Sequence, residues 1–263
     1  MIYVCSDIHG LFDRYNILVN KLTKNDTLYI LGDVIDRGSD GIKIIKDIMT
    51  RNNVILISGN HEDFMYTYLS NQLRISKDSN KSTNLFDNGR SFSFWFYENN
   101  GGSITYKKFL KESDEDQMKI YNFISNLPMI ILLNVNGQKF HLSHTGTILS
   151  HDFTQYDINN MPKILRRSDL NKKDIEIILW ESVFNSSYML YEDDFPNNYI
   201  CIVGHVPVQI IRQYYNINDY HVYKNENLID IDSGCALYSI KNSNIKTALS
   251  YLCLDTLEDN YII

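Results

Sequence analysis

Five apolar, strand-like runs in this chain each give out into a residue able to bind a metal, and that recurrence restricts the fold more than any other feature. The first run, Ile2 to Cys5, is followed by Asp7 and His9 in VCSDIHG. The second, TLYILGD (27–33), ends at Asp33, with Asp36 and Arg37 just beyond. The third, NVILISGN (53–60), delivers Asn60 and His61. The return arm of MIILLNVNGQKFHLSH (129–144) ends at His144, and NYICIVGHVPV (198–208) carries His205. Ligands of open α/β sheets collect at the carboxyl ends of strands. Five such ends along one edge would set these side chains around a single cleft.

The segments between the runs agree with such sheets. Leu11 to Leu22 has apolar residues at helical spacing, GIKIIKDIMTR (41–51) offers Ile44, Ile45, Ile48 and Met49 as an inner face, and residues 62–72 read as a helix. Strand and helix alternating at this interval predict parallel βαβ units. Residues 73–127 break the rhythm: RISKDSNKSTNLFDNGR reads as loop, SFSFWFYENNGGS is aromatic and then glycine-rich, and a helix starts at Ser113 or Asp114. The segment reads as an insertion packed beside the site, within a single domain spanning 1–263. After Pro128 the pattern turns to β, with a hairpin about Asn136-Gly137. Residues 147–197 look irregular apart from a helix-like piece near 172–183. The runs at 198–208, 219–224, 227–240 (with GCALYS as a packed strand) and 246–255 predict antiparallel meanders. The expected fold class is mixed α/β: two sheets face to face, with helices outside.

The chemistry of the strand-end set is coherent. Asp7, His9, Asp33, Asn60, His144 and His205 offer oxygen and nitrogen donors and no thiolate. Mixed carboxylate and imidazole ligands suit Mn, Fe, Zn or similar divalent ions. Six groups exceed one tetrahedral site and suit two metals about 3.5–4 Å apart that share a water. The period-two spacing of Asp7 and His9 predicts that both leave the strand on one face. Glycines flank nearly every ligand. His141, His151 and His221 lack that context and read as structural or solvent-exposed. The cysteines Cys5, Cys201, Cys235 and Cys253 are far apart in apolar surroundings and read as buried small hydrophobes. With 44% apolar residues the chain can bury a sizeable core, and a net charge of -7 without a basic stripe argues against duplex nucleic acid as partner. No signal-peptide pattern and no apolar run long enough for a bilayer are present, so the expected location is the cytoplasm, without a membrane partner.

Taken in order, SDIHG, GDVIDRG (32–38), GNHE (59–62), HTG (144–146) and GHV (204–206) resemble the signature motifs of the phosphoprotein phosphatase family of calcineurin-like metallophosphoesterases. The likeness is to the bacterial and phage serine/threonine phosphatases and also to the symmetrical diadenosine tetraphosphate hydrolases. It implies a four-layer α/β/β/α sandwich with a dinuclear centre, most simply of manganese, with Fe, Zn, Ni or Mg as alternatives. It implies that Asp7, His9 and Asp33 hold one metal, and that Asp33, Asn60, His144 and His205 hold the other. A metal-bridging hydroxide would attack phosphorus, His61 would be the general acid oriented by Asp36, and Arg37 would bind phosphate oxygens together with Asn60 and His61. The expected activity is phosphomonoester hydrolysis, of phosphoserine, phosphothreonine or small esters. The alternative is a symmetrical bis(5'-nucleosyl)-tetraphosphatase; a binding protein that has lost catalysis is the third reading.

The chain departs from the family pattern at Ser6, where glycine is usual, and at Ser58, where the phage type has arginine. In LWESVFN, Glu181 and Ser182 follow Trp180 where a second phosphate-binding arginine is expected; Arg90, Arg166, Arg167 and Arg212 are the candidates to replace it. Asp36 and Glu62 favour the phosphatase reading. The aromatic insertion favours a nucleotide, for which Trp95 or Tyr97 would supply a stacking platform.

Overall fold

The computed structural model describes residues 1–79, 86, 93–148, 151–181, 198–213, 219–239 and 245–263. Strands β1 (Ile2–Cys5), β2 (Thr27–Ile30) and β3 (Val54–Leu56) pair in parallel, joined by helices α1 (Phe12–Val19) and α2 (Gly41–Thr50). These are the βαβ units the sequence predicts. The C-terminal strands β10 (Leu249–Cys253) and β11 (Asp259–Ile262) extend this sheet antiparallel, giving the order β11-β10-β1-β2-β3. The second sheet is built from β4 (Pro128–Val135), β5 (Gln138–Ser143), β6 (Lys163–Arg166), β7 (Tyr199–Val203), β8 (Tyr223–Asn225) and β9 (Leu228–Asp230). Its order is β6-β4-β5-β7-β9-β8. The β4–β5 hairpin turns at Asn136 and Gly137, both left-handed at φ 53° and 89°.

Strand alternation sorts side chains into layers. Val4, Tyr29 and Leu31 meet Ile131, Leu133, Phe140, Leu142 and Ile202 between the sheets. Cys5, Leu28 and Ile30 face the other way, onto Tyr15, Leu18, Ile44 and Ile48 of the outer helices. Ile130, Leu132 and Leu165 pack against Ile178 and Leu179 of α6 (Lys172–Trp180). The result is the four-layer α/β/β/α sandwich expected. It puts the carboxyl ends of β1, β2, β3, β5 and β7 at one edge.

The structure corrects the sequence reading in several places. The C-terminal half is no simple antiparallel meander: β5 pairs β7 in parallel, β7 pairs β9 in parallel, and β10 belongs to the other sheet. Parallel partners need crossover connections, and the segments before and after β7 supply them. GCALYS is a 3₁₀ turn at Cys235–Ser239, because Gly234 at φ 73° reverses the chain and its carbonyl accepts from Leu237 N–H. Helix α3 spans Asn60–Ser79, starting at the site itself and continuing through residues read as loop. Its polar tail contains no Gly or Pro, so nothing there breaks a helix. Helices α4 (Gly102–Phe109) and α5 (Asp114–Ser125) follow, and α5 is capped by Ser113, whose side chain accepts from Asp116 N–H. Strand β6 and helix α4 went unpredicted. A last short helix, α7 (Val208–Gln213), follows β7. Among the described residues no helix is long and apolar enough to cross a membrane. All four cysteines are free and buried.

Candidate metal centre and its surroundings

Backbone strain marks the site before any side chain is considered. Ten non-glycine residues among those described have positive φ, and six of them are Asp7, His9, Asp33, Asp36, Arg37 and His205. Each costs about 1–2 kcal/mol. Such strain persists only where the surrounding structure holds it, and it concentrates at functional sites. It also corrects the account of Asp7 and His9. Both lie beyond the end of β1, at φ 53° and 47°, so a turn aims them and not the pleat of a strand.

Asp33 stands at the centre, and its two oxygens face different partners. Oδ2 lies 3.6 Å from His9 Nε2 and 3.8 Å from His61 Nε2. Oδ1 lies 3.5 Å from His144 Nε2. Two donor groups share this carboxylate: His9, Asp33 and His61, and Asp33, His144 and His205. Asp7 Oδ1 sits 3.9 Å from His9 Nε2, and its Oδ2 accepts from His205 N–H at 2.9 Å, linking the two groups. Asn60 Oδ1 lies 2.9 Å from His144 Nε2 and 3.2 Å from His205 Nδ1. All six expected ligands therefore converge.

The donor set suits divalent cations. His144 Nδ1–H donates to Leu31 O at 2.7 Å, and His9 Nδ1–H donates to Ile35 O at 3.0 Å. A neutral imidazole that donates from Nδ1 presents a lone pair at Nε2. At His144 that lone pair meets Asn60 Oδ1, Asp33 Oδ1 and His205 Nδ1, a convergence of acceptors that a cation would satisfy. Burial, with Arg37 and His61 adding, holds the His9 pKa well below the ordinary imidazole value. Burial and then His144 do the same for His205. Burial pushes the Asp33 carboxyl well up, with Asp7 and Glu62 contributing against the pull of His61. Neutral imidazoles beside crowded carboxylates are ready-made metal ligands.

His61 behaves differently. Burial opposes its protonation, yet the Asp33 charge and the Asp36 hydrogen bond prevail, and its pKa lies above the ordinary value. Its Nδ1–H donates to Asp36 Oδ2 at 2.7 Å. Arg37 Nη1–H donates to His9 Nε2 at 2.9 Å, which brings the guanidinium to the edge of the first donor group. Asp36 and Arg37 thus join the ligands in one place, as the motif order suggested.

Two buried carboxyl groups belong to this neighbourhood that sequence patterns did not place there. Glu62 is fully buried, and its carboxylate accepts from Asp33 N–H (2.8 Å), Val34 N–H (3.0 Å) and Gly59 N–H (2.9 Å). It ties the turn after β2 to the start of α3. Glu two residues into a helix after Gly-Asn is a capping signal that could have suggested this. Asp232 is buried near the same cluster; burial and then Asp7 push its pKa well up, while Gly234 N–H and Arg37 counter. Only the tertiary fold brings it there.

Of the arginines considered for phosphate, Arg90 and the side chain of Arg212 lie outside the described residues. Arg166 Nε donates to Asn126 O. Arg167 pairs with Asp63 on the first turn of α3 and lies 4.8 Å over the Tyr66 ring. His141, His151 and His221 have other partners: Thr147, Tyr156 and Asp219. Trp95 is wholly buried, which rules out stacking on a base, whereas Trp180 is 40% exposed. Ser6 is buried with its hydroxyl unpartnered among the described residues.

Comparison with known proteins agrees with this geometry. A sequence profile described as calcineurin-like phosphoesterase matches residues 1–232. The symmetrical bis(5'-nucleosyl)-tetraphosphatase of Buchnera aphidicola subsp. Acyrthosiphon pisum (strain 5A) is 33% identical over 89 residues, 32% of this chain and 31% of that protein. The enzyme of the same name from Wigglesworthia glossinidia brevipalpis is 38% identical over 64 residues, 23% of this chain and 24% of that one. The matched part thus spans under a third of these curated relatives. A crystal structure provisionally named a diadenosine tetraphosphatase shares the fold at a TM-score of 0.51 and 13% identity, covering 99% of this chain and 92% of that one. With five strand ends converging on one buried donor set and a profile match over most of its length, the chain belongs to the calcineurin-like phosphoesterase family of metal-dependent phosphoester hydrolases.

Proposed function

We propose that the chain is a dinuclear hydrolase that cleaves dinucleoside tetraphosphates symmetrically. The observation that carries this is the division of donors on the two oxygens of Asp33, joined to relatives that bear that name. Asp7, His9 and Asp33 would hold one divalent ion, and Asp33, Asn60, His144 and His205 the other, with manganese the first choice. Such ions lower the pKa of a coordinated water from about 16 toward 7, which makes hydroxide available at neutral pH. The protein's own groups do the rest. Arg37 binds phosphate oxygens through its planar fork. His61, held by Asp36, keeps a proton at Nε2 for the leaving oxygen. The whole chain, 1–263, acts as one domain, with the segment around 73–127 as its insertion.

The two positions that spoke for a phosphatase discriminate less once their surroundings are known. Glu62 is spent on backbone N–H groups and does not face the cleft. Asp36 serves His61 through a hydrogen bond that either activity can use. A nucleotide needs an aromatic surface nearby, and Trp180 is a candidate: it packs edge-on to Phe64 at 4.7 Å, and Phe64 lies 6.1 Å from the His61 ring. A second reading, hydrolysis of phosphoserine or phosphothreonine, is supported by the compact His61, Asp36 and Arg37 group, which suits one phosphoryl group.

The test is product analysis with Mn present. The tetraphosphatase reading expects diadenosine tetraphosphate to give ADP alone, at a kcat/KM well above that for phosphopeptides. AMP with ATP as products, or phosphopeptides as the better substrates, would overturn it.

A further inference from the structure

We infer that Trp95, with the short segment that carries it, is a positioning residue for the His61–Asp36 pair. This rests on the reading of His61 as the proton donor, and extends it to a residue no motif includes. Asp36 is fully buried. Its Oδ2 accepts two N–H groups, from His61 Nδ1 at 2.7 Å and from the Trp95 indole Nε1 at 2.7 Å. Its Oδ1 has no hydrogen-bond partner among the described residues. The carboxylate is therefore oriented through one oxygen alone, by two donors that fix each other's geometry.

The same segment grips the backbone beneath. Asp36 N–H donates to Thr105 Oγ1 at 3.0 Å. Asp36 and Arg37 are left-handed at φ 69° and 60°, a strained pair that needs outside support. Gly101 approaches so closely that a Cβ there would fall 2.4 Å from Arg37 N, and a Cβ on Gly102 would fall 2.3 Å from the Trp95 ring. Indole, hydroxyl and glycine backbone thus hold one turn from three sides. Trp95 itself is clamped among Tyr68, Phe96 and Tyr106. A buried indole N–H needs an acceptor, and here that acceptor is the group that orients the imidazole. Without this donor, Asp36 is free to rotate toward its unpartnered oxygen, and His61 loses its fixed tilt.

The role has a kinetic signature. Loss of a well-placed acid matters most when the leaving oxygen is basic, and little when it is a stabilised phenolate. Trp95→Phe keeps an aromatic ring and removes the N–H. It is expected to lower kcat about tenfold or more on alkyl phosphates, which expel a basic alkoxide, and about threefold or less on p-nitrophenyl phosphate, with KM little changed. His61→Asn, run alongside, sets the leaving-group dependence due to the acid itself. An equal loss of kcat on all substrates in Trp95→Phe, or no loss, would overturn the inference, provided His61→Asn shows the dependence. If His61→Asn shows none, the acid assignment fails and takes this kinetic role with it.

A second measurement needs no substrate. In ¹⁵N-labelled protein the indole N–H of Trp95 gives a signal identified by its absence in Trp95→Phe; the other tryptophan is Trp180. In Asp36→Asn, checked for folding by its remaining spectrum, that signal is expected to move upfield as the charged acceptor is lost. An unmoved signal in a folded variant would show that the contact is absent, whatever the enzyme hydrolyses.

Discussion

At the scale of single residues, the site sets neutral imidazoles beside one that is readily protonated. His9 and His205 are held neutral by burial, while Asp33 and Asp36 keep His61 protonatable. Substituting His61→Asn is expected to lower kcat on alkyl phosphates about 10²–10⁴-fold, the usual worth of a general acid; steady-state assays decide this. Asp33→Asn should bring hydrolysis to background, because both donor groups lose their shared carboxylate. Trp180→Ala is expected to raise KM for a dinucleoside tetraphosphate about tenfold, with a smaller change in kcat, as a lost base stack would. A titration of KM against nucleotide settles whether that exposed ring takes part. His141 reports on stability instead. Burial lowers its pKa from 6.5 to about 4 in the fold. The unfolded chain binds a proton that the fold refuses, so stability is full above pH about 6.5 and falls as pH drops toward about 4, by about 3 kcal/mol in all. His141→Gln should flatten this part of the urea-unfolding profile against pH; an unchanged slope would contradict it.

At the scale of elements, turns between strands and helices do the aiming. The expected hairpin at Asn136-Gly137 forms because two left-handed residues match the twist of β4 and β5. Gly137 has open space around its missing Cβ, whereas Gly101 is pressed onto Arg37. Both have positive φ, 89° and 77°. Gly137→Ala is therefore expected to cost about 1 kcal/mol of backbone strain alone. Gly101→Ala should cost clearly more, since the turn at Asp36 and Arg37 must shift as well. Chemical denaturation of the two variants gives the comparison. Elements with strong period or punctuation were legible in the sequence: the βαβ units, the hairpin and the Ser113 cap. Strand β6 and helix α4 were not, because their form depends on the sheet edge and the helices they pack against. GCALYS looked like strand because apolar composition does not reveal a chain reversal at Gly234.

At the scale of the whole molecule, two sheets meet so that five strand ends crowd buried carboxylates together. Asp7, Asp33, Glu62, Asp230 and Asp232 are all buried there or close by. Cation binding should relieve that crowding, so metal and fold stability are coupled. Chelator-treated protein given Mn at about 100 times its dissociation constant should gain about 2.7 kcal/mol. For a domain of this size that raises Tm by roughly 5–10 °C. Calorimetry with no shift on adding Mn, Fe or Zn would mean the donor set holds none of them.

What the sequence by itself determined is the identity and order of the donor residues that the fold brings together. Strand periodicity followed by Asp, His or Asn is a local signal, and five local signals in series leave few folds that reunite them. What only the tertiary structure decided is how those groups are aimed and held. The left-handed turns at Asp7, His9, Asp33 and Asp36 are set by the surroundings the fold supplies, and the Asp33 and Val34 N–H groups on Glu62 and the Trp95 indole on Asp36 are contacts between segments far apart in the chain. No periodicity records such contacts, because backbone strain and buried hydrogen bonds are set by the neighbours that the fold supplies.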